Sequence, residues 1–233
     1  TTGFPARAVH VSNPYHTQES PAGSSSGTGA SLGATFALGG TGSGTCHSFR
    51  PPSSVNGLVG IRPSIGTISS HGIFPLNHAR DTGGPMTRTV RDSALMLSAM
   101  AGVDPRDPRT LDFPEIDRPE NYAEYLNIEL HGVAGKNLGV IRDLGGNTSS
   151  VGTGQQGTHI AEAIAHLESL GANIYDVYLP DYSSISIGSS HYDMNEYFAQ
   201  FDLDGGSSPR ACVSDATAQT QGPIAHGRTD VCV

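Results

Sequence analysis

The sequence predicts an α/β fold, and three stretches carry that prediction. Leu32, Phe36 and neighbouring alanines recur at helical spacing within residues 28–38. Thr89-Val90-Arg91-Asp92 has the pattern of a capping box, which opens a second helix. Between residues 137 and 180 the apolar pattern runs strand, helix, strand.

Taken in order, residues 1–22 read as irregular, with Pro5, Pro14 and Pro21 and no apolar period. The helix expected over 28–38 contains Gly29 and Gly33, and each internal glycine costs roughly 1 kcal/mol against alanine. Lying four apart, they mark a face that another backbone approaches closely. Residues 39–52 are too rich in glycine for a regular element and read as a loop. Val55 to Arg62 is a short buried strand or turn, closed by Pro63. After Thr89, residues Val90, Ala94, Leu97 and Ala101 share one helical face, and Gly102 ends the helix.

Residues 103–120 form an acidic, proline-rich linker. Leu138-Gly139-Val140-Ile141 is then a buried strand. Ile160, Ile164 and Leu167 mark a helix that Gly171 caps, and Ile174 to Leu179 alternates with Tyr175, Val177 and Leu179 on one face. This is a βαβ unit, expected to be right-handed with parallel strands. From Ser183 onward the signals fade, and 204–233 reads as loop-like, without internal repeats.

A net charge of −9 argues against nucleic acid or an anionic membrane as partner, because both reward dense Lys and Arg. No stretch approaches the roughly 18 consecutive apolar residues of a membrane span. The chain starts at Thr1 with no secretory apolar region, so the expectation is that processing or truncation removed the true start. Cys46, Cys212 and Cys232 make no disulfide framework. Cys212 and Cys232 pair if the protein is secreted and stay free otherwise. Asn147-Thr148-Ser149 is a glycosylation sequon, and the compartment stays open.

Chemistry concentrates in two serine clusters, Gly23-Ser24-Ser25-Ser26-Gly27 and Gly42-Ser43-Gly44-Thr45-Cys46-His47-Ser48-Phe49-Arg50. Ser24 and Ser48 lie 24 positions apart, enough for one helix and a return loop, so two hydroxyls converge on one site. Amide hydrolysis needs a nucleophile, a base that returns the proton to the leaving nitrogen, and donors for the oxyanion. Small residues from Ser43 to Ser48 let consecutive N–H groups turn inward as a donor nest. The bland reading, a solvated Gly/Ser loop, stays open on this segment alone.

Other motifs carry less. Gly23-x-Ser25-x-Gly27 matches a nucleophile elbow, which needs a preceding strand, and Gln18 to Ala22 is none. Gly27-x-Gly29-x-x-x-Gly33 is one residue off a dinucleotide loop and fits helix packing better. The histidines offer no chelating pair on a helix face, so neither metal nor cofactor is expected. Arg50 either pairs with a carboxylate such as Asp81 or faces solvent. Ser25 and Ser26 are helix-start hydroxyls that satisfy free N–H groups. Thr87, Arg88 and Asp92 read as structural.

The ordered string is more specific. Asn13-Pro14-Tyr15, Ala22 to Gly27, Ser48-Phe49-Arg50-Pro51-Pro52, Gly57-Leu58-Val59-Gly60-Ile61-Arg62-Pro63 and Asp81-Thr82-Gly83-Gly84-Pro85-Met86-Thr87-Arg88-Thr89-Val90-Arg91-Asp92 resemble the amidase signature family. The resemblance implies a mixed β-sheet covered by helices, here present in part as a single domain. Its signature core spans about 13–104, followed by the βαβ unit at about 137–180 and a weakly defined tail, 181–233. It implies that Ser48 is the nucleophile and that Ser24, after a cis Gly23–Ser24 peptide, relays a proton to a lysine. It makes the backbone N–H groups of Thr45, Cys46, His47 and Ser48 the oxyanion hole.

Several positions depart from the family pattern. Gly44 stands where the family has Asp, Cys46 and His47 replace two glycines, and Ala22 replaces another. The family's lysine precedes the serine motif by several tens of residues, and Lys136, the only lysine, follows it and reads as a solvated surface residue. The expectation is therefore an internal piece of a longer amidase acting on a small-molecule amide, with homo-oligomerisation open. The alternatives are an inactive amidase-like fragment and a transamidase component using ammonia on a carrier-linked substrate.

Overall fold

The computed structural model describes residues 10–112, 118–144 and 155–179, together with Asp193, Tyr197 and Phe198. These residues form two compact units. The first holds those up to Tyr122 with Asp193, Tyr197 and Phe198, and the second starts at Ala123. Cys212, Cys232, the sequon at Asn147 and the tail from Ser183, apart from three residues, lie outside the described residues.

Helix α1 covers Ser26–Gly33, so it starts earlier and ends earlier than the spacing predicts. Thr35 turns into the left-handed region at φ 63, and Phe36 and Leu38 are each 84% exposed rather than on the helix face. The close approach expected at its glycines is present. A Cβ at Gly29 would sit 3.2 Å from the Pro52 carbonyl oxygen and one at Gly33 3.4 Å from that of Asn56, with the Asn56 and Pro14 side chains nearer still at 2.9 and 2.8 Å.

Residues 39–52 are not the irregular loop their composition predicts. Gly39–Gly44 form strand β1, and Arg50–Val55 form helix α2, whose Pro51 and Pro52 occupy first-turn positions where no N–H is needed. A two-residue strand β2, Val59–Gly60, and the buried strand β3, Thr82–Thr87, complete a sheet of order β1-β3-β2. Both neighbours run antiparallel to β3, with Gly39 opposite Thr87 and Gly44 opposite Thr82 on one edge. Glycine weakens a strand on average. Here it is required, because the strand lies flat against Phe49 and α1.

The core under this sheet is small: Leu32, Phe49 and Met86, with Leu58 packed against it. Phe49 is fully buried, which contributes roughly 2–3 kcal/mol. Helix α3, Val90–Met100, starts as predicted. The Thr89 hydroxyl accepts the Asp92 N–H at 3.0 Å and donates to the Asp92 carboxylate at 2.7 Å. Ala94 and Leu97 are buried, but Val90 is 54% exposed and lies off the buried face. The linker holds an ordered helical turn, α4, Pro108–Leu111, because the Asp107 side chain caps it by accepting the Arg109 N–H at 3.1 Å.

In the second unit, Asn127 caps the short helix α5, Ile128–His131. Strand β4, Asn137–Leu144, helix α6, Gln155–Ser169, and strand β5, Asn173–Leu179, follow. The strands are parallel, in register from Asn137 opposite Asn173 to Leu144 opposite Leu179, with one irregularity between Ile141 and Asp143. Gly171 takes φ 88 after α6, as a helix-terminating glycine should. On the alternating face of β5, Tyr175 is exposed and Val177 half-buried. No helix among the described residues is long and apolar enough to cross a membrane.

Candidate active site

Both serine clusters lie in the first unit, and β1 connects them. The Gly23–Ser24 peptide bond is cis, and α1 begins two residues later. Ala22 adopts φ 59, a region easier for the glycine it replaces. The Ser25 N–H donates to the Ser48 carbonyl at 2.9 Å, which ties the start of α1 to the end of the second cluster. The Ser25 hydroxyl accepts the Ser43 N–H and donates to the Ser43 carbonyl, both at 3.3 Å. It makes no helix-cap bond, contrary to expectation, because it is turned toward β1, where both its hydrogen bonds go to Ser43. Residues 18–22 form no strand, so the nucleophile-elbow geometry around Ser25 is missing.

The segment Thr45 to Ser48 leaves β1 and turns into α2. Each of its four carbonyls accepts a hydrogen bond. Arg62 Nη2 donates to Thr45 at 3.3 Å, Arg50 Nη2 to Cys46 at 2.7 Å, the Arg50 N–H to His47 at 2.9 Å, and the Ser25 N–H to Ser48. Among the described residues, none of the four N–H groups donates to a protein acceptor. The four carbonyls are thus anchored, and the four N–H groups are the turn's remaining donors among the described residues. Cys46 and His47 side chains are exposed, so they leave the backbone donors uncovered.

Phe49 positions this turn, and sequence reasoning gave it no role. A Cβ at Gly42 would lie 2.5 Å from Phe49 Cβ, one at Gly44 2.8 Å from Cε1, and one at Gly84 3.0 Å from Cζ. The ring sits in a nest of glycine backbone. The available signal was the density of glycines on both sides of the cluster, combined with one aromatic residue directly after Ser48.

Arg50 does not pair with Asp81, because its guanidinium serves the Cys46 carbonyl instead. Asp81 is buried and accepts three hydrogen bonds: the Thr45 hydroxyl at 2.5 Å, the Leu76 N–H at 2.7 Å and the Asn77 N–H at 2.8 Å. Arg88 donates to the Leu32 carbonyl at 3.1 Å, and Thr87 bonds Ser93 at 2.6 Å, so both act on packing, like Asp92. Lys136 is exposed at the turn entering β4, where its carbonyl accepts the Asn173 N–H at 2.8 Å.

Ser24 and Ser25 line an open cleft of about 600 Å³ with Thr28, Ser43, Ile68 and Met100. Ser48 is not among its lining residues, so the cleft reaches Ser24 and not Ser48. Ile73 also lines a smaller cavity of about 240 Å³ beside His71, His78, Asp107 and Tyr197. Burial raises the Asp107 carboxyl, but the Ser70 N–H, Arg109 and the Ser70 hydroxyl outweigh it and hold the group below its ordinary value. Bonded to the Arg106 guanidinium, Asp104 lies well below the usual carboxylate range. No group of three His, Cys, Asp or Glu able to hold a metal exists among the described residues.

The amidase family model matches residues 3–220. A glutamyl-tRNA(Gln) amidotransferase chain from Ralstonia pickettii is 37% identical over 176 residues, covering 73% of this chain and 35% of that protein. Its counterpart from Thermobifida fusca is 33% identical over 225 residues, covering 91% and 43%. Among solved structures, the native peptide amidase from Stenotrophomonas maltophilia matches with a TM-score of 0.75 at 28% identity, covering 94% of this chain and 45% of that one. An amidase family protein from Bacillus anthracis matches at 0.72 and 27%, covering 94% and 43%. The chain thus spans well under half the length of these relatives.

Proposed function

Because the chain belongs to the amidase family, whose model matches it over residues 3–220, we propose that it carries the serine part of a site hydrolysing linear carboxamide C–N bonds. The supporting observation is the join between the two clusters. The residue after the cis Gly23–Ser24 peptide donates directly to the carbonyl of Ser48, beside four unspent N–H donors.

In this reading Ser48 Oγ attacks the amide carbonyl carbon. Its proton passes to Ser24, whose own proton moves to a lysine. The N–H groups of Thr45, Cys46, His47 and Ser48 hold the oxyanion, a type of contact worth about 10²–10³ in rate per donor. The proton then returns to the nitrogen, the C–N bond breaks, and ammonia or an amine leaves. Water attacks the seryl ester, giving the carboxylate and regenerating Ser48. The peptide amidase and amidotransferase relatives both fit chemistry at an amide nitrogen.

One observation favours a second reading, a catalytically inactive amidase-like chain: the sequence's only lysine, Lys136, is exposed at the entry to β4. A fluorophosphonate probe followed by mass spectrometry separates the two. We expect an adduct on Ser48 that vanishes in Ser48→Ala and forms at least about 100-fold more slowly in Ser24→Ala. An adduct only on a longer chain that also contains the family's lysine assigns inactivity to the lysine. No adduct on either chain sinks Ser48 as nucleophile.

A further inference from the structure

We propose that Asp81 is a positioning residue for the oxyanion turn and acts through the Thr45 hydroxyl; this rests on the amidase reading above. The turn Thr45–Ser48 has few side-chain anchors. Cys46 and His47 point into solvent, and Gly44 has no room for a bracing side chain, since its Cβ would meet the Phe49 ring at 2.8 Å. Thr45 is different. It is 8% exposed, and its hydroxyl donates at 2.5 Å to Asp81, itself 6% exposed.

Asp81 is suited to the task by its other partners. One carboxylate oxygen takes the Thr45 hydroxyl, and the other takes the consecutive N–H groups of Leu76 and Asn77. The carboxylate therefore cannot swing toward or away from the turn without losing two backbone bonds. On the opposite side, Arg62 Nη2 holds the Thr45 carbonyl at 3.3 Å and is itself fixed by the Arg80 carbonyl at 2.7 Å, one residue before Asp81. Thr45 is thus gripped at its hydroxyl and its carbonyl from the same short segment, 80–81. That grip fixes the peptide plane that presents the next donor, the Cys46 N–H. An ionised carboxylate is acceptor-only, so an amide in its place cannot receive all three donors.

Thr45→Val removes the hydroxyl at nearly constant volume, and Thr45→Ser restores it. Backbone 15N order parameters of residues 45–48, from NMR relaxation on the 233-residue chain, read the rigidity of the turn without requiring activity. We expect order parameters to fall from about 0.85 toward about 0.6 in Thr45→Val and to return to near wild type in Thr45→Ser, with similar melting temperatures. In wild-type protein that takes up a fluorophosphonate at Ser48, the labelling rate should fall ten- to a hundredfold in Thr45→Val and recover in Thr45→Ser. Should Thr45→Val fail to fold, Asp81→Asn gives the same two readouts. Unchanged order parameters in Thr45→Val, or a fall that Thr45→Ser fails to reverse, overturn the brace. Absence of wild-type labelling bears on the nucleophile or the lysine and not on the brace, which the order parameters alone then decide.

Discussion

The sheet of the first unit and the strand pair of the second use glycine in opposite ways. In β1 four of six residues are glycine, and in β3 all six positions are buried, Gly83, Gly84 and Pro85 included. Contact there is between a ring and bare backbone. In the second unit, β4 and β5 pair through residues with side chains at every position but Gly139, and Gly171 serves the turn between α6 and β5 through its φ of 88. The glycines of β1 and β3 exist for space, and Gly171 for conformation. The difference explains why the same residue type weakens the sequence signal in one unit and sharpens it in the other.

The comparison breaks most visibly at Gly84. A Cβ there would collide with the Ile61 carbonyl oxygen and lie 3.0 Å from Phe49 Cζ, so backbone has to move. Gly84→Ala should cost about 3 kcal/mol, at the upper end for overpacking, read from urea denaturation. Hydrogen exchange should show the loss in β1 and β3 and leave β4 and β5 unchanged. A loss below about 1 kcal/mol would mean the ring is not confined by the glycines.

Asp107 tests whether polar packing carries the rest of the first unit, whose apolar core is small. Its carboxylate accepts the Ser70 N–H at 2.8 Å, the Ser70 hydroxyl at 2.9 Å and Arg109 Nε and Nη2 at 3.0 Å. Asp107→Asn should cost about 2 kcal/mol at pH 7, because a half-buried cation and an N–H lose their acceptor. The folded carboxyl titrates below its unfolded value, so its contribution is complete above about pH 4 and fades as pH falls through the folded value. The stability gap between wild type and Asp107→Asn should therefore narrow in acid. A gap that stays constant from about pH 7 to about pH 2 rules out the titration argument.

What the sequence made legible follows the same division. The βαβ unit was readable because Ile160, Ile164, Leu167 and the alternation in 174–179 are side-chain patterns. The capping box at Thr89 was readable because its bonds are local in sequence. Strand β1 was hidden, since a glycine strand has no period and its pairing with β3 is set some forty residues away. Of the candidate site, the serines and the cis peptide position came through the ordered motifs. The partners of Arg50, Ser25 and Asp81 did not, because which carbonyl or hydroxyl lies within hydrogen-bond reach depends on that hidden strand.

The smallest expected effect sharpens the comparison best. Gly171 has only ordinary contact around it, with Ala134 Cα and Cβ 3.5 Å from a built Cβ, so space is not what it supplies. Gly171→Ala should cost about 1 kcal/mol through the left-handed backbone alone. Asparagine tolerates that region better than alanine, so Gly171→Asn should recover part of the loss despite being larger. At Gly84 the order must reverse: the larger the side chain, the greater the loss. If Gly171→Asn is worse than Gly171→Ala in urea denaturation, the second unit's glycine is also there for space, and the two units follow one rule.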